Sequence, residues 1–214
     1  MIETFVHSKA LVDTSEVGMG TSIWAFTHLM KGVRIGSNCN VGSHCFVESG
    51  VTIGDNVTIK NGNRIWEGVT IEDGVFIGPQ VVFTNDLYPR SPRLAQAAPR
   101  YLDKATWLVP TLVKRGASIG AGAIIIAGTT IGEYARISVG AIVRRDVAAY
   151  ALVRGCPAEW IRWIRECAQP LEVRDGVAEC GACGKHFHVW CGSLYPLDSR
   201  SREGMKFNKL EGDR

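Results

Sequence analysis

Residues 51–65 read VTIGDNVTIKNGNRI, and an isoleucine returns at every sixth position of this stretch, at Ile53, Ile59 and Ile65. Counting in sixes in both directions gives a series from Leu11 to Phe83, which resumes in phase and runs from residue 113 to residue 143. All 19 positions of the series are apolar. A period of six fits neither an amphipathic helix nor a simple alternating strand. Each unit is therefore predicted to be a short strand followed by a corner.

A second position repeats with the same period. Two residues before each member of the series, 17 of 19 side chains are small or β-branched, and glycine follows the member in seven units. Positions two residues apart share one face of a strand, and glycine suits a corner where the backbone turns through positive φ. Three units would close a coil of 18 residues, and strands of successive coils would pair at ~4.8 Å. The repeat predicts an all-β fold, a three-sided parallel β-helix.

The repeat is interrupted between Phe83 and Val113 by a charged segment that contains proline. Since the phase is the same on both sides, we predict that residues 85–106 form a loop that leaves one corner of a continuous prism. Long loops of this kind are usually functional or disordered. We expect function here, because a ligand site needs a concavity that a smooth prism does not supply.

The chain is predicted to consist of a β-helix domain over residues 1–156, a capping helix over 157–168, and a polar tail over 169–214. Pro157 suits the first turn of a helix. The helix would present four residues on one face: Trp160, Ile161, Ile164 and Cys167.

Composition excludes several classes of protein. Hydrophobic residues at 46% and charged residues at 21% are typical of a globular chain and exclude a wholly disordered one. A net charge of +3 is too small to indicate nucleic-acid binding by itself. The sequence has no apolar run of ~18 residues and does not start like a signal peptide, so we expect a cytoplasmic protein with no membrane partner.

The 18-residue coil also predicts contacts, because residues 18 apart stack on the same edge. Glu67 is predicted to lie directly below Asn85 at the corner from which the loop leaves. His28 and Arg64 would share one row with two coils between them, and Arg136 and Arg154 would share another.

Five segments resemble a known family. They read IWAFTH (23–28), WEGV (66–69), EDGVFIGP (72–79), FTNDLYPR (83–90) and VKRGASIGA (113–121). The chain resembles the hexapeptide-repeat acyltransferases, and within them the N-acetyltransferases of nucleotide-linked 3-amino sugars, such as UDP-2-acetamido-3-amino-2,3-dideoxyglucuronate or a dTDP-3-amino sugar. The resemblance implies a left-handed β-helix, acetyl-CoA as co-substrate, a homotrimer, and a role in surface polysaccharide synthesis such as that of O-antigen.

Acetyl transfer to an amine needs donors for the tetrahedral oxyanion and an acceptor for the amine proton. Asn85 is the candidate that orients the amine or donates to the oxyanion. Asp86, Glu67 and His28 are the candidate proton acceptors, and the sequence does not choose among them.

The phosphates of a nucleotide sugar and of coenzyme A need cations, and arginine binds phosphate in a bidentate manner. The candidates for substrate binding are Arg90, Arg64 and Tyr88. The candidates for coenzyme A binding lie near the late coils: Lys114, Arg115, Ala121, Arg136 and Arg154.

In the tail, Cys180 and Cys183 have the spacing of a zinc knuckle, which supplies two of four tetrahedral ligands. Four residues could complete the site: Cys167, His186, His188 and Cys191. The alternative to a structural zinc is a metal-free remnant of such a site, and no catalytic metal is expected.

The sequence therefore predicts an acetyl-CoA-dependent N-acetyltransferase acting on a UDP- or dTDP-linked amino sugar. Two alternatives remain open. One keeps the fold and changes the acceptor to a hydroxyl group, and the other is a non-catalytic or carbonic-anhydrase-like β-helix.

Overall fold

A computed structural model describes residues 3–190 and 193–197. Its main body is a parallel β-solenoid with three faces, and its strands are numbered here in chain order. Each strand of the coils is two to four residues long and continues into the corner that leads to the next face. The predicted fold class is confirmed.

Face A is a nine-stranded sheet, and its strands in spatial order are β1 (Phe5–Val6), β3 (Ser22–Ile23), β6 (Asn40–Val41), β9 (Thr58–Ile59), β12 (Phe76–Ile77), β15 (Ser118–Ile119), β18 (Arg136–Ile137), β20 (Ala151–Arg154) and β21 (Glu159–Trp163). Face B has seven strands: β2 (Leu11–Val12), β4 (His28–Leu29), β7 (Phe46–Val47), β10 (Arg64–Ile65), β13 (Val82–Phe83), β16 (Ile124–Ile125) and β19 (Ile142–Val143). Face C has five: β5 (Arg34–Ile35), β8 (Thr52–Ile53), β11 (Val69–Ile71), β14 (Thr111–Val113) and β17 (Thr130–Ile131).

The aliphatic series forms columns inside the solenoid. On face A, Ile23 pairs with Val41, Val41 with Ile59, and Ile59 with Ile77, each 18 residues further along the chain. The members of these columns between Ile23 and Val143 are all buried. The predicted 18-residue coil is therefore confirmed for the central part of the prism.

Several of the small inward residues are polar, and they bond the backbone of the next coil. The Thr21 hydroxyl donates to the Gly36 carbonyl (2.7 Å) and accepts from the Cys39 amide (3.0 Å). The Asn63 side chain bonds the next coil in the same two ways, donating to the Gly78 carbonyl (2.9 Å) and accepting from the Val81 amide (2.9 Å). These side chains satisfy buried backbone groups at the corners, where the strand ladder ends.

The period changes at both ends of the solenoid. Val12, and not Leu11, pairs with the inward Leu29, so Leu11 points outward and is 54% exposed. The inclusion of Leu11 in the inward series was wrong, because the first coil is one residue short on this face. At the other end Arg136 pairs with Leu152, 16 residues on, so the predicted stacking of Arg136 on Arg154 was also wrong.

The predicted capping helix over 157–168 is wrong as well. Residues Glu159–Trp163 form strand β21, which pairs antiparallel with β20 and extends face A by one strand. The pairing gives partners to the backbone groups that β20 would otherwise expose at the edge of the sheet. Two aromatic or β-branched side chains of this segment, Trp163 and Ile164, are buried, and such residues favour strands.

Part of the predicted tail is also ordered. A three-stranded antiparallel sheet is formed by β22 (Val177–Glu179), β23 (His186–Trp190) and β24 (Ser193–Leu197). Buried Phe187 of this sheet packs edge-on against Tyr150, which stacks on Tyr134 of the preceding coil. The sheet is thereby attached to the C-terminal end of the solenoid. Residues 198–214 of the predicted polar tail lie outside the described residues.

The helical content of the described residues is two short 3-10 segments in the loop, η1 (Ala98–Leu102) and η2 (Lys104–Thr106). Within residues 3–190 and 193–197, the structure has no helix with the length and apolar character needed to cross a bilayer.

The glycines that follow members of the inward series do not have the positive φ expected from the sequence; they lie where the next coil approaches their Cα closely. They offer a test of this close contact between coils. A Cβ on Gly120 would lie 2.5 Å from the Val139 backbone nitrogen, so Gly120→Ala forces adjacent coils apart. We expect a cost of about 1–3 kcal/mol and a decrease in Tm of about 3–10 °C, measured by calorimetry. Gly122→Asn is the matched control, because it has open space at Cβ and a φ of +65° that asparagine tolerates. Equal Tm values for Gly120→Ala and the wild type would contradict the interpretation.

Candidate active site

The inserted segment leaves the solenoid at the corner between faces B and C. It follows β13 and returns to the wall at β14. The Val109 amide donates to the Asn85 carbonyl (2.9 Å), which brings the two ends of the segment together. Asn85 therefore lies where the loop joins the wall.

Asn85 and Glu67 are adjacent, as the 18-residue stacking predicts. The Asn85 side-chain amide donates to the Glu67 backbone carbonyl (3.3 Å). The Glu67 carboxylate is partly buried and accepts from the Lys104 ammonium at both oxygens (2.7 and 2.8 Å). The Glu67 amide donates to the Glu48 carboxylate (2.8 Å). The Glu67 carboxylate is thus paired with a cation from the loop.

Asp86 is held inside the loop. Its carboxylate accepts two hydrogen bonds from the Arg100 guanidinium (2.6 and 2.9 Å), one from the Tyr101 hydroxyl (2.9 Å) and one from the Tyr88 amide (2.9 Å). The Arg100 guanidinium is the main cause that lowers the pKa of Asp86 to about 2. Asp86 is therefore ionised, and its carboxylate is engaged with residues of its own loop.

His28 lies far from Asn85 in the folded chain. It lies on face B in the same row as Phe46, Arg64 and Val82. Three coil spacings separate His28 from Val82, a distance of about 14 Å. The His28 Nε2 atom lies 2.9 Å from an Asp13 carboxylate oxygen. The structure thus does not bring His28 together with the other candidate proton acceptors.

The three predicted substrate-binding residues lie on one side of the solenoid. Arg64 is exposed on face B, one coil spacing from Val82. Tyr88 and Arg90 are exposed on the loop, and the Arg90 guanidinium donates to the Pro89 carbonyl (3.0 Å). All three are accessible to a ligand that contacts face B and the loop.

A groove of about 830 Å³ runs along face A to the corner between faces A and B. It contains two of the predicted coenzyme A residues, Ala121 and Arg136, and its walls include Phe76, Pro79 and Ser138. Arg136 is the cation in this groove. The lining of the groove is therefore partly apolar and includes one arginine, and it suits a long ligand that has both apolar and anionic parts.

The other predicted coenzyme A residues lie elsewhere. Lys114 and Arg115 follow β14 at the corner between faces C and A, and Arg115 pairs with Glu133 (3.4 Å). Arg154 is exposed at the last coil, where it pairs in register with Glu159 of β21. The structure does not bring these three residues into the groove.

The cysteine pair of the tail lies beside β22. Burial raises the pKa of the Cys180 thiol, but hydrogen bonds from the Cys183 side chain and from nearby groups outweigh it and lower the pKa to about 7. Among the described residues, no group of three or more potential ligand side chains comes together. Cys191, one of the candidate ligands, lies outside the described residues, so the choice between a structural zinc and a metal-free remnant stays a prediction.

Three residues of the site were missed by sequence analysis: Arg100, Tyr101 and Lys104. All three lie in the loop, 14 to 37 residues from the carboxylates that they bind. The coil repeat predicts contacts between residues that are 18 apart on the wall, and it gives no register for an insertion. The complementary charges were the available signal, and they do not specify the pairing.

Comparison with known proteins agrees with this architecture. The family described as "Bacterial transferase hexapeptide (six repeats)" matches residues 14–49 and 50–85. The chain is 47% identical over 193 residues to the dTDP-3-amino-3,6-dideoxy-alpha-D-galactopyranose 3-N-acetyltransferase of Aneurinibacillus thermoaerophilus, an alignment that covers 90% of this chain and 95% of that one. The chain belongs to the hexapeptide-repeat acyltransferases. Its fold is accordingly the left-handed β-helix of that family.

Other proteins match over shorter ranges. The 2,3,4,5-tetrahydropyridine-2,6-dicarboxylate N-acetyltransferase of Staphylococcus aureus is 39% identical over 66 residues, which is 31% of this chain and 25% of that one. Among solved structures, the acetyltransferase domain of PglB from Neisseria gonorrhoeae, in complex with acetyl coenzyme A, aligns with a TM-score of 0.52 and 18% identity, covering 75% of this chain and 58% of that one. The structural match supports the fold.

The closed base of the loop leads to a prediction about folding. Because Asn85 and Val109 are hydrogen-bonded to each other, a short Gly/Asn turn can replace residues 86–108 without stretching the wall. We expect the shortened acyltransferase to retain the β-sheet circular dichroism spectrum and a cooperative thermal transition. An unfolded or non-cooperative product would show that the solenoid needs the loop.

Proposed function

We propose that this protein is an N-acetyltransferase that transfers the acetyl group of acetyl-CoA to the amino group of a nucleotide-linked amino sugar. The observation that carries the proposal is the 47% identity, over nearly the whole of both chains, with a 3-N-acetyltransferase of a dTDP-3-amino sugar. The site geometry is consistent with that chemistry, because a donor side chain, a carboxylate and exposed cations lie around the loop base.

The reaction makes modest demands on the protein. The amine attacks the thioester carbonyl, the carbonyl oxygen becomes an oxyanion, and the leaving thiolate, whose parent thiol has a pKa of about 8.5 by analogy with cysteine, needs little assistance. Asn85 orients the amine or donates to the oxyanion. The backbone carbonyl of Glu67 accepts a hydrogen bond from the Asn85 side chain. The Glu67 carboxylate is the favoured proton acceptor once the Lys104 ammonium leaves it.

We assign acetyl-CoA to the groove on face A. The Arg136 guanidinium lies in this groove to bind a phosphate group. The apolar part of the wall, which includes Phe76 and Pro79, suits the pantetheine arm. The nucleotide sugar is assigned to the corner between faces B and C, where Tyr88 and Arg90 of the loop are exposed. Arg64 lies on face B itself, one coil from Val82, so it is assigned to the interface proposed below and not to the sugar site.

We further propose that three chains assemble through face B. Four of the six outward side chains of this face between β4 and β19 are apolar: Phe46, Val82, Ile124 and Ile142. The outward side chains of face C include Arg34, Thr52, Thr70 and Thr130. An exposed apolar face of this kind is typical of an oligomer interface.

A threefold arrangement would also complete the site. If face B of each prism points to the axis, the face B/C corner of one chain meets the face A/B corner of the next. Asn85 and the loop would then lie beside the groove that contains Ala121 and Arg136 of the neighbouring chain. Three equal sites follow, each built from two chains. The cytoplasmic location and the role in O-antigen synthesis stay predictions.

The function is tested by following thiol release from acetyl-CoA with a panel of UDP- and dTDP-linked 3-amino and 4-amino sugars. We expect release with at least one amino sugar and none with the matching sugar that lacks the amine. Equal release with a hydroxyl acceptor in place of the amine would favour O-acetylation and contradict the proposal.

Asn85→Ala should lower kcat for the best acceptor by about 10²-fold, because it removes a side chain placed to stabilise the reacting groups. The fold should be retained, as judged by circular dichroism. Asn40→Ala is the control, since Asn40 bonds Trp24 on face A, away from the loop. A wild-type kcat in Asn85→Ala would remove the catalytic role of Asn85.

Val82→Arg tests the assembly. Val82 is 46% exposed and lies between Arg64 and Ile124 in the outward row of face B. Three further arginines would thus be brought together at the proposed axis, one coil from the three Arg64 side chains. We expect the mass measured by light scattering to fall from that of a trimer to that of a monomer, with loss of acetyl transfer. Thr70→Arg, on face C, should leave the trimer intact. A trimeric Val82→Arg protein would exclude face B as the interface.

A further inference from the structure

Two arms of the inserted loop meet at Asp86. One arm contains residues 86–90 and follows Asn85 directly. The other arm contains residues 98–102 and supplies Arg100 and Tyr101. Arg100 also donates to the Tyr88 carbonyl (3.0 Å), and the Arg90 amide donates to the Tyr101 hydroxyl (2.8 Å). The Asp86 carboxylate is thus the centre of a network that joins both arms.

The acceptor capacity of Asp86 is fully used by this network. Oδ1 accepts from the Arg100 guanidinium and from the Tyr88 amide, and Oδ2 accepts from the guanidinium and from the Tyr101 hydroxyl. A carboxylate has about four acceptor positions, and all four have protein donors. The side chain is 10% exposed, and that of Arg100 is 28% exposed. A substrate proton would have to displace one of these donors.

The low pKa of Asp86 also argues against a role as proton acceptor. With a pKa of about 2, Asp86 remains charged as the pH rises above that value, and its ion pair with Arg100 is lost only as the pH falls through it. A carboxylate that holds a proton so weakly is a poor general base near neutral pH. It is, however, a strong partner for a bidentate guanidinium.

Hydrogen bonds hold the backbone at Asn85 and on its C-terminal side. On the C-terminal side, the Tyr88 amide is bound to Asp86. At Asn85 itself, the carbonyl accepts from the Val109 amide. Loss of the Asp86–Arg100 pair would free the first arm to move, and Asn85 is the residue at its base. A displacement of about 1 Å at a catalytic group costs on the order of 10²-fold in rate.

We propose that Asp86, Arg100 and Tyr101 are positioning residues that form a clasp between the two arms of the loop and hold Asn85 in place for catalysis, with Asp86 acting through Arg100 and not as the proton acceptor. The inference rests on the proposed acetyl transfer, and it assigns a role to two residues that lie outside the coil repeat. It also leaves Glu67 as the carboxylate next to Asn85.

The test is a double-mutant cycle on kcat with Asp86→Asn and Arg100→Met. If the two residues act as one unit, each single variant lowers kcat by about 10- to 100-fold. The double variant then has about the same kcat as the less active of the two single variants. If Asp86 is a proton acceptor with an independent role, the two effects multiply. Multiplicative effects, or wild-type activity in Asp86→Asn, would overturn the proposal.

The pH profile separates the two roles by a second route. Arg100→Met removes the main cause of the low Asp86 pKa. If Asp86 were the proton acceptor, the acidic limb of kcat would move to higher pH in this variant; for a clasp, kcat falls by a constant factor and the limb stays where it is. Arg100→Lys keeps the positive charge but loses the bidentate geometry, so it should recover part of the rate. Arg93→Met, at an exposed arginine of the same loop, should match the wild type.

Hydrogen exchange tests the clasp without any activity. In Asp86→Asn, the Tyr88 amide should exchange faster, and in Tyr101→Phe the Arg90 amide should do so, while amides of the wall such as Val82 keep their protection. If the wild type acetylates no sugar of the panel, the proposed function fails on its own and the exchange rates still decide the clasp. Unchanged exchange at Tyr88 and Arg90 in these variants would overturn it.

Discussion

The structure depends on the pairing of each coil with the coils above and below it. A strand of two or three residues has too few hydrogen bonds to persist alone, so it exists only because neighbours 18 residues away complete its ladder. The buried aliphatic columns and the inward Thr and Asn side chains enforce the same spacing, since both fit one register between coils. A sequence that keeps this period has little freedom to adopt another fold.

This constraint also determines where the chemistry lies. The wall must repeat, so the departure from the repeat lies in an insertion at one corner, and we propose that this insertion, together with wall residues such as Glu67, positions the amino sugar. The insertion has its own polar network in place of a core, with Asp86, Arg100 and Tyr101 bonded to one another and Lys104 bonded to the wall at Glu67. Between β2 and β19 the described scaffold thus carries one irregular element, and Asn85 lies at its base.

The parts of the fold that obey the repeat were predictable from the sequence, and the parts that depart from it were not. The column through Ile23 and the contact between Glu67 and Asn85 followed from counting residues. The first and last coils shift by one or two residues, which moved Leu11 outward and separated Arg136 from Arg154. Residues 159–163 carry an apolar pattern that suits a helix or a strand, and the free edge of β20 decided in favour of the strand.

The two ends of the solenoid differ in a way that affects how the stack comes apart. At the C-terminal end, Trp163 and Phe187 cover the last coil and are buried, whereas at the N-terminal end Val6 is 45% exposed. In a linear array each unit is stabilised only by its nearest neighbours, so the least protected terminus frays first. We therefore expect thermal fluctuations to unfold the first coil before the others. The loop, which leaves the solenoid four coils further along, stays folded during these early openings.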